Sequence, residues 1–368
     1  NLIVKLNKEE LEELKKKAEV KPSDFYPFDI SDERTYPVGP TPLMSPKRLI
    51  AETGFTNLKL KLDSQLISGS FKDRASLLVA SQALHYGEHK IALASTGNAG
   101  AAMSAVGAAY GLDIILFVPA TAPINKLMQS VLYGAKVIPV KGSYDDAFAL
   151  SIEYTKLFGG INRNTAYNPM TVEGKKSIAI ELFNQYGRKA PDCVYVPTGD
   201  GCIFSGVAKG FYDLKEAGLI DKLPHLVAAQ SVESNAISQA FRTGNFTPVN
   251  ATTRADSISV SSPANGRMAV SYIKMSKGWS TEVTDKELLD AQLILTQKAG
   301  VLVEPAAATA YAAFLKDQEL LQEKLGKDAE ITILLTGSGF KDMAAFDGRV
   351  QIPPAIENSV EAVKNLNF

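Results

Sequence analysis

Apolar and polar positions follow two rhythms along this chain. Residues 58–62, Leu58-Lys59-Leu60-Lys61-Leu62, are apolar at every second position, the period of a strand with one buried face. Residues 75–84 carry no charge and predict a mostly buried helix. Beyond them, short apolar runs at 91–94, 114–118, 137–140, 194–196, 226–229 and 331–335 alternate with helical stretches at 99–110, 124–132, 145–157, 175–186 and 207–216. Strands that are apolar throughout are buried on both faces, so the alternation predicts an α/β fold with mostly parallel sheets covered by helices. The crossovers should be right-handed, and ligands should sit beyond the carboxyl ends of the strands.

The first residues read differently. Asn7-Lys8-Glu9-Glu10 has the pattern of a capping box, and Leu11, Leu14 and Ala18 form a thin stripe, which predicts an outlying amphipathic helix. From 22 to 46 the prolines Pro37, Pro40 and Pro42 rule out regular structure and predict an ordered arm laid over the body. No internal repeat or low-complexity segment interrupts the pattern.

Composition narrows the function classes. The 368 residues leave room for about two domains. A formal net charge of −1, with clustered positive charge only at Lys15-Lys16-Lys17, argues against nucleic acid or an anionic membrane as partner. Cys193 and Cys202 offer no disulfide framework and fit a reducing cytoplasm. His85, His89 and His225 are too scattered for a histidine-rich metal site, so no metal is expected; His85 and His89, at helical spacing, read as a surface pair. No run approaches the ~18 apolar residues of a membrane span. No signal peptide is evident, and an opening residue Asn1 in place of Met suggests processing.

Candidate chemistry starts at Ser68-Gly69-Ser70-Phe71-Lys72-Asp73-Arg74, which joins the strand at 58–62 to the helix at 75–84. Helix N-termini favour anions. A lysine in the first turn is therefore better placed if its amine is consumed as an imine; the alternative is a solvated lysine paired with Asp73. Three strand ends then carry small-residue loops: Ser95-Thr96-Gly97-Asn98-Ala99-Gly100, Pro197-Thr198-Gly199-Asp200-Gly201-Cys202-Ile203, and Thr336-Gly337-Ser338-Gly339-Phe340-Lys341-Asp342. The first suits a carboxylate and the second a phosphate, because both open helices whose N–H groups are free. Asp200 would repel a phosphate unless its side chain turns away. A lysine, a phosphate cradle, a carboxylate loop and an oxygen-bearing strand end together match the needs of pyridoxal phosphate acting on an amino acid.

These motifs, with Gly39-Pro40-Thr41-Pro42-Leu43, Asn168-Pro169, Glu173-Gly174-Lys175-Lys176 and Val303-Glu304-Pro305-Ala306, resemble the β family (fold type II) of pyridoxal-phosphate enzymes from about Gly39 to Asp342. Within it, the SFKDR, EGKK and TGSGFKD elements are most similar to the threonine synthases. The resemblance implies that Lys72 anchors the cofactor and shuttles protons, and that Asn98 bonds its phenolic oxygen. It also implies that Gly199, Gly201 and Cys202, with Asp200 and Ile203 in the same loop, cradle the phosphate, that Phe71 adjoins the cofactor, and that Thr336 meets the pyridine nitrogen. Ser95, Thr96 and Gly97 would hold the substrate carboxylate. The implied architecture is a large domain of residues 1–80 and 176–368, with 1–46 as helix and arm, and a small closing domain of 81–175. A homodimer is implied as well.

The implied reaction, phosphate elimination from O-phosphohomoserine followed by hydration to threonine, needs a second anion site. The tract Met170-Thr171-Val172 lacks the arginine usual there, and Asp200 and Ile203 stand where the family has asparagines. Arg163, Asn164 and Thr165 are the candidates to compensate. Two other readings stay open: a β-eliminating or β-replacing enzyme acting on serine, threonine or a phosphorylated or sulfur-bearing relative, and a catalytically silent homologue, against which Lys72 argues.

Overall fold

The computed structural model describes residues 2–30 and 34–366. Ten strands occur among them: β1 (Leu43–Met44), β2 (Leu58–Leu62), β3 (Lys90–Ala94), β4 (Asp113–Pro119), β5 (Lys136–Val140), β6 (Ile161–Asn162), β7 (Cys193–Pro197), β8 (His225–Ser231), β9 (Trp279–Val283) and β10 (Ile331–Leu335). They form a six-stranded sheet in the order β1-β2-β10-β7-β8-β9 and a four-stranded sheet in the order β5-β4-β3-β6. Only β1 runs antiparallel to its neighbour.

The period-2 geometry of a strand sends alternate residues to opposite faces, and both faces of the larger sheet are covered. Leu58, Leu60, Tyr195, Val227, Ile331 and Ile333 face one core, with helices Asp285–Ala299 and Pro305–Lys316. Val194, Val196, Leu226, Ala228 and Leu334 face the other, with helices Ser177–Gln185, Cys202–Glu216 and Gly266–Met275. The smaller sheet is likewise covered twice: Ile91, Leu93, Ile114 and Leu116 pack with Leu78 and Met103, and Ala92, Ile115 and Phe117 with Ala147. The fold is thus the expected α/β architecture of two doubly wound parallel sheets.

Helix Lys72–His85 ties the two sheets together. Its first turn is fixed by Arg74, whose guanidinium meets Asp63 at 2.6 and 3.0 Å and Glu181 at 2.6 and 3.0 Å. Lys61 adds 2.8 Å to Glu181. All four side chains are buried. Burying charge is costly unless each ion is matched, and here two cations face two carboxylates. The far part of the helix packs Leu78, Val79 and Ala83 under the smaller sheet.

Several boundaries differ from the sequence reading. The helix expected at 175–186 begins earlier, as Met170–Glu173, and runs through a tight turn at Gly174–Lys176 into Ser177–Gln185. The helix expected from 207 starts at Cys202. It contains Gly206 and Gly210 because the backbone at 172–176 lies on it, so closely that a Cβ at either would collide there. β9 escaped prediction because Trp279-Ser280-Thr281-Glu282-Val283 is a polar edge strand. The arm at 22–46 holds a short turn of helix, Pro22–Phe25, and β1. Its residues 31–33 lie outside the described residues, as does Asn1. In the first helix, Lys8–Lys16, Leu11 and Leu14 are buried and Ala18 is exposed. His85 and His89 do not share a helical face, since the helix ends at His85 and the chain turns through Gly87 at φ +71°. No helix among the described residues is long and apolar enough to cross a membrane.

Candidate active site

Lys72 opens its helix at the carboxyl end of β2, half-buried, and its amine makes no hydrogen bond or ion pair with any described residue. Asp73, the alternative partner, instead takes the Ser68 N–H at 2.9 Å and the Tyr36 hydroxyl at 3.2 Å. Burial lowers the Lys72 ammonium from its ordinary range; Glu304 opposes that shift and Arg163 adds to it. An amine easily deprotonated is a better nucleophile.

Thr336 ends β10 beside this lysine. Its carbonyl accepts the Phe71 N–H at 2.8 Å, and Ser70 and Gly337 form a bridge. The Thr336 side chain is buried, and its hydroxyl has no hydrogen-bond partner among the described residues. It is therefore free to meet a ring nitrogen. Phe71 itself is buried in the core, so what it contributes at the cleft is backbone.

Asn98 begins helix Asn98–Tyr110 and donates its amide to Glu304 at 3.2 and 3.0 Å and to Ser257 at 3.2 Å. Glu304, which sequence reasoning used only as a family motif, is the unexpected member of this site. Its carboxylate lies over Gly337, where a Cβ would collide with it, and burial raises its pKa against the pull of Asn98 and Lys72. Ser95 Oγ accepts the Gly97 and Gly100 N–H groups at 3.3 and 3.0 Å. Among the described residues, the N–H groups of Asn98 and Ala99 have no partner, and Thr96 is half-exposed beside them.

The glycine loop before helix Cys202–Glu216 leaves the first N–H groups of that helix unpaired among the described residues. Gly201 has φ +87°, a conformation that suits glycine, and a Cβ on Gly199 would meet Ile258 Cα at 2.7 Å. Asp200 is engaged elsewhere: its carboxylate takes the Ala264 N–H at 2.6 Å and the Cys202 thiol at 3.3 Å. Burial raises the pKa of Asp200 against the pull of the Cys202 thiol and the Ala264 N–H. Ile203 follows, partly buried against the core.

Of the three residues considered for a second anion site, Arg163 is fully buried, donates to Thr165 Oγ1 at 2.8 Å and Ser76 Oγ at 3.4 Å, and leaves Nε without a partner. Asn164 spends its side chain on the Ala94 N–H at 2.7 Å and Ser151 Oγ at 2.7 Å, so it holds the loop after β6 rather than facing the cleft. Sequence reasoning missed Lys175 as a candidate. It is fully buried, donates to the Thr171 carbonyl at 2.5 Å, and is pushed by burial down to about 7. In the sequence its signal was the motif Glu173-Gly174-Lys175-Lys176, which carried the family resemblance without assigning this lysine a role.

A reactive lysine, a free strand-end hydroxyl, an amide, an anion cradle and the orphaned Arg163 Nε fit pyridoxal phosphate. The sequence profile described as "Pyridoxal-phosphate dependent enzyme" matches residues 34–337. The threonine synthase of Methanocaldococcus jannaschii is 35% identical over 335 residues, 89% of this chain and 81% of the relative. That of Mycobacterium tuberculosis is 31% identical over 333 residues, 90% of each. Among solved structures, diaminopropionate ammonia lyase from Escherichia coli superposes with a TM-score of 0.73 at 16% identity, over 85% of this chain and 88% of that one. Threonine deaminase isoform 2 from Solanum lycopersicum gives 0.71 at 18% identity, over 83% and 85%. At these identities the two superpositions speak for the fold.

Proposed function

This chain belongs to the pyridoxal-phosphate-dependent enzymes, in the family of the threonine synthases, and from that premise we propose that it converts O-phosphohomoserine and water to threonine and phosphate. The observation that carries the reading is the Lys72 amine, which makes no bond among the described residues and lies in the field of Glu304 and of Asp200 and Cys202 in the glycine cradle. Bound pyridoxal phosphate supplies an electron sink that makes the protons at Cα and Cβ acidic and lets phosphate leave from Cγ.

The protein's part is to place and move protons. With cofactor and substrate bound, Lys72 Nζ would take the α-proton and serve the later transfers. Thr336 Oγ1 would hold the ring nitrogen; a hydroxyl there does not enforce ring protonation as a carboxylate would, which favours elimination over transamination. Asn98 Nδ2, which without cofactor donates to Glu304 and Ser257, would turn to the phenolic oxygen, and Gly199, Asp200, Gly201, Cys202 and Ile203 would form the phosphate cradle, with Phe71 adjoining through its backbone. Ser95, Thr96 and Gly97 hold the substrate carboxylate at the start of helix Asn98–Tyr110. Arg163 and Thr165, with Asn164 fixing their loop, are the candidates to serve the leaving phosphate. Residues 81–175 form the closing domain, two copies assemble as a homodimer, and the enzyme works in the cytoplasm.

The test compares kcat/KM for O-phosphohomoserine, serine and threonine on the cofactor-loaded protein. The reading expects the phosphorylated substrate to be preferred by at least a hundredfold. Faster keto-acid formation from serine or threonine would move the chain to dehydratase chemistry.

A further inference from the structure

Among the described residues, two buried cations near Lys72 lack a carboxylate partner. Elsewhere in the interior each buried cation meets a carboxylate: Lys61 with Glu181, Arg74 with Asp63, Lys176 with Glu173, and Lys209 with Asp213, at 2.5 to 2.8 Å. Lys175 and Arg163, both 0% exposed, have no carboxylate within ion-pair distance among the described residues. The Lys175 ammonium has only the Thr171 carbonyl, and Arg163 has two hydroxyls and an orphaned Nε.

An unmatched buried cation is strongly destabilising: without an anion Lys175 is pushed by burial down to about 7, whereas a dianion beside it would hold the ammonium charged, and Arg163 keeps its charge in either case. Lys175 lies in the field of Cys202, Arg163, Lys72 and Asp200, and Arg163 in that of Tyr144 and Cys202, so both converge on the start of the glycine cradle. The negative groups there are outnumbered among the described residues: the carboxylates Asp200 and Glu304, bonded only by neutral donors, face Lys72, Lys175 and Arg163, and the Cys202 thiol is pushed well up by burial. Placement adds a second argument. Lys175 brings its charge to the carbonyl of Thr171, within the tract that has no arginine, and Gly206 leaves the room its stem occupies.

We infer that Lys175 and Arg163 are the cationic side chains of a phosphate-dianion site at the cradle, acting through the low-dielectric interior as positioning residues rather than as contacting ligands. The inference rests on the proposed function for the phosphate chemistry. Two phosphates present the same dianion, the cofactor's own and the one leaving the substrate.

The experiment uses Lys175→Met, which keeps volume and removes charge, and Lys175→Arg, which keeps charge. Pyridoxal phosphate is titrated into apoprotein by absorbance, inorganic phosphate is titrated into holoenzyme by its thermal shift, and the apoprotein is melted without anion. Lys175→Met is expected to melt no lower than the unsubstituted apoprotein, because an uncompensated charge has gone. It should lose one affinity on the order of ten- to a hundredfold, and Lys175→Arg should retain it. Loss of inorganic phosphate binding with cofactor affinity unchanged assigns the site to the leaving phosphate; the reverse assigns it to the cofactor. Both affinities within twofold, or a lower-melting apoprotein that Lys175→Arg does not rescue, overturns the inference. If phosphate binding depends on Lys175 but no threonine forms, the site stands and the proposed function fails. If threonine forms and phosphate binding ignores Lys175, the converse holds.

Discussion

The backbone N–H of Phe71 donates to the carbonyl of Thr336 at 2.8 Å, which joins two strand ends 265 positions apart. Because Lys72 follows Phe71 directly, the amine proposed to anchor the cofactor and the hydroxyl proposed to meet its ring are set by one hydrogen bond and the neighbouring bridge between Ser70 and Gly337. Thr336 directly follows β10, and Lys72 opens the helix that the chain enters after β2, so both lie beyond the carboxyl ends of adjacent parallel strands, where this fold class gathers ligands.

Removing the amine should leave this frame intact. Lys72→Ala is expected to abolish turnover and the visible absorbance of lysine-linked cofactor. Because the amine makes no bond among the described residues, stability should stay within about 0.5 kcal/mol. Absorbance spectra and urea melts check both parts, and residual turnover near the unsubstituted rate contradicts the assignment.

Arg74 has the opposite character. Arg74→Ala leaves Asp63 and Glu181 buried with only Lys61 to match them, and should cost about 3–5 kcal/mol by denaturant unfolding. It should also loosen the first turn of the helix that begins at Lys72. A loss below about 1 kcal/mol would show that the cluster relaxes or admits water.

The same cluster fixes a direction in acid. Burial alone would raise the Glu181 carboxyl, but Arg74 and Lys61 bring it down to about 2 from 4.5. Its folded value lies below its unfolded one, so its contribution is complete above pH 4.5 and is lost as pH falls towards 2. Unfolding free energies measured across that window should fall with pH, and Glu181→Gln should be less stable at neutral pH with a shallower slope. An unchanged slope would remove Glu181 from the acid transition.

Gly201→Ala places a Cβ on a backbone at φ +87°, 3.1 Å from Ala269 Cβ and from Asn265 O. The strain is about 1–2 kcal/mol and falls on the cradle, so cofactor affinity should drop roughly tenfold while the larger core is unaffected. Equilibrium titration of pyridoxal phosphate reads this directly, and an unchanged affinity would move the phosphate away from this loop.

The sequence made the buried strands and the cofactor motifs legible for a simple reason: each is local. A run such as Leu226–Ala229 declares burial by composition, and a glycine loop after it declares a helix N-terminus. What depended on distant partners was hidden. Nothing near Arg74 announces Glu181, and the motif Glu173-Gly174-Lys175-Lys176 does not announce that helix Cys202–Glu216 buries both lysines. The two lysines then part, Lys176 onto Glu173 and Lys175 onto a lone carbonyl. β9 was illegible because an edge strand needs no apolar run, and Asn164 looked like a ligand because its bonds to Ala94 and Ser151 arise only after β6 docks beside β3.

The central claim is tested most directly by incubating the cofactor-loaded protein with O-phosphohomoserine and measuring phosphate and threonine together. Equal amounts of the two, absent in Lys72→Ala, are predicted. Cofactor absorbance without phosphate release, or phosphate accompanied by keto acid instead of threonine, would contradict it.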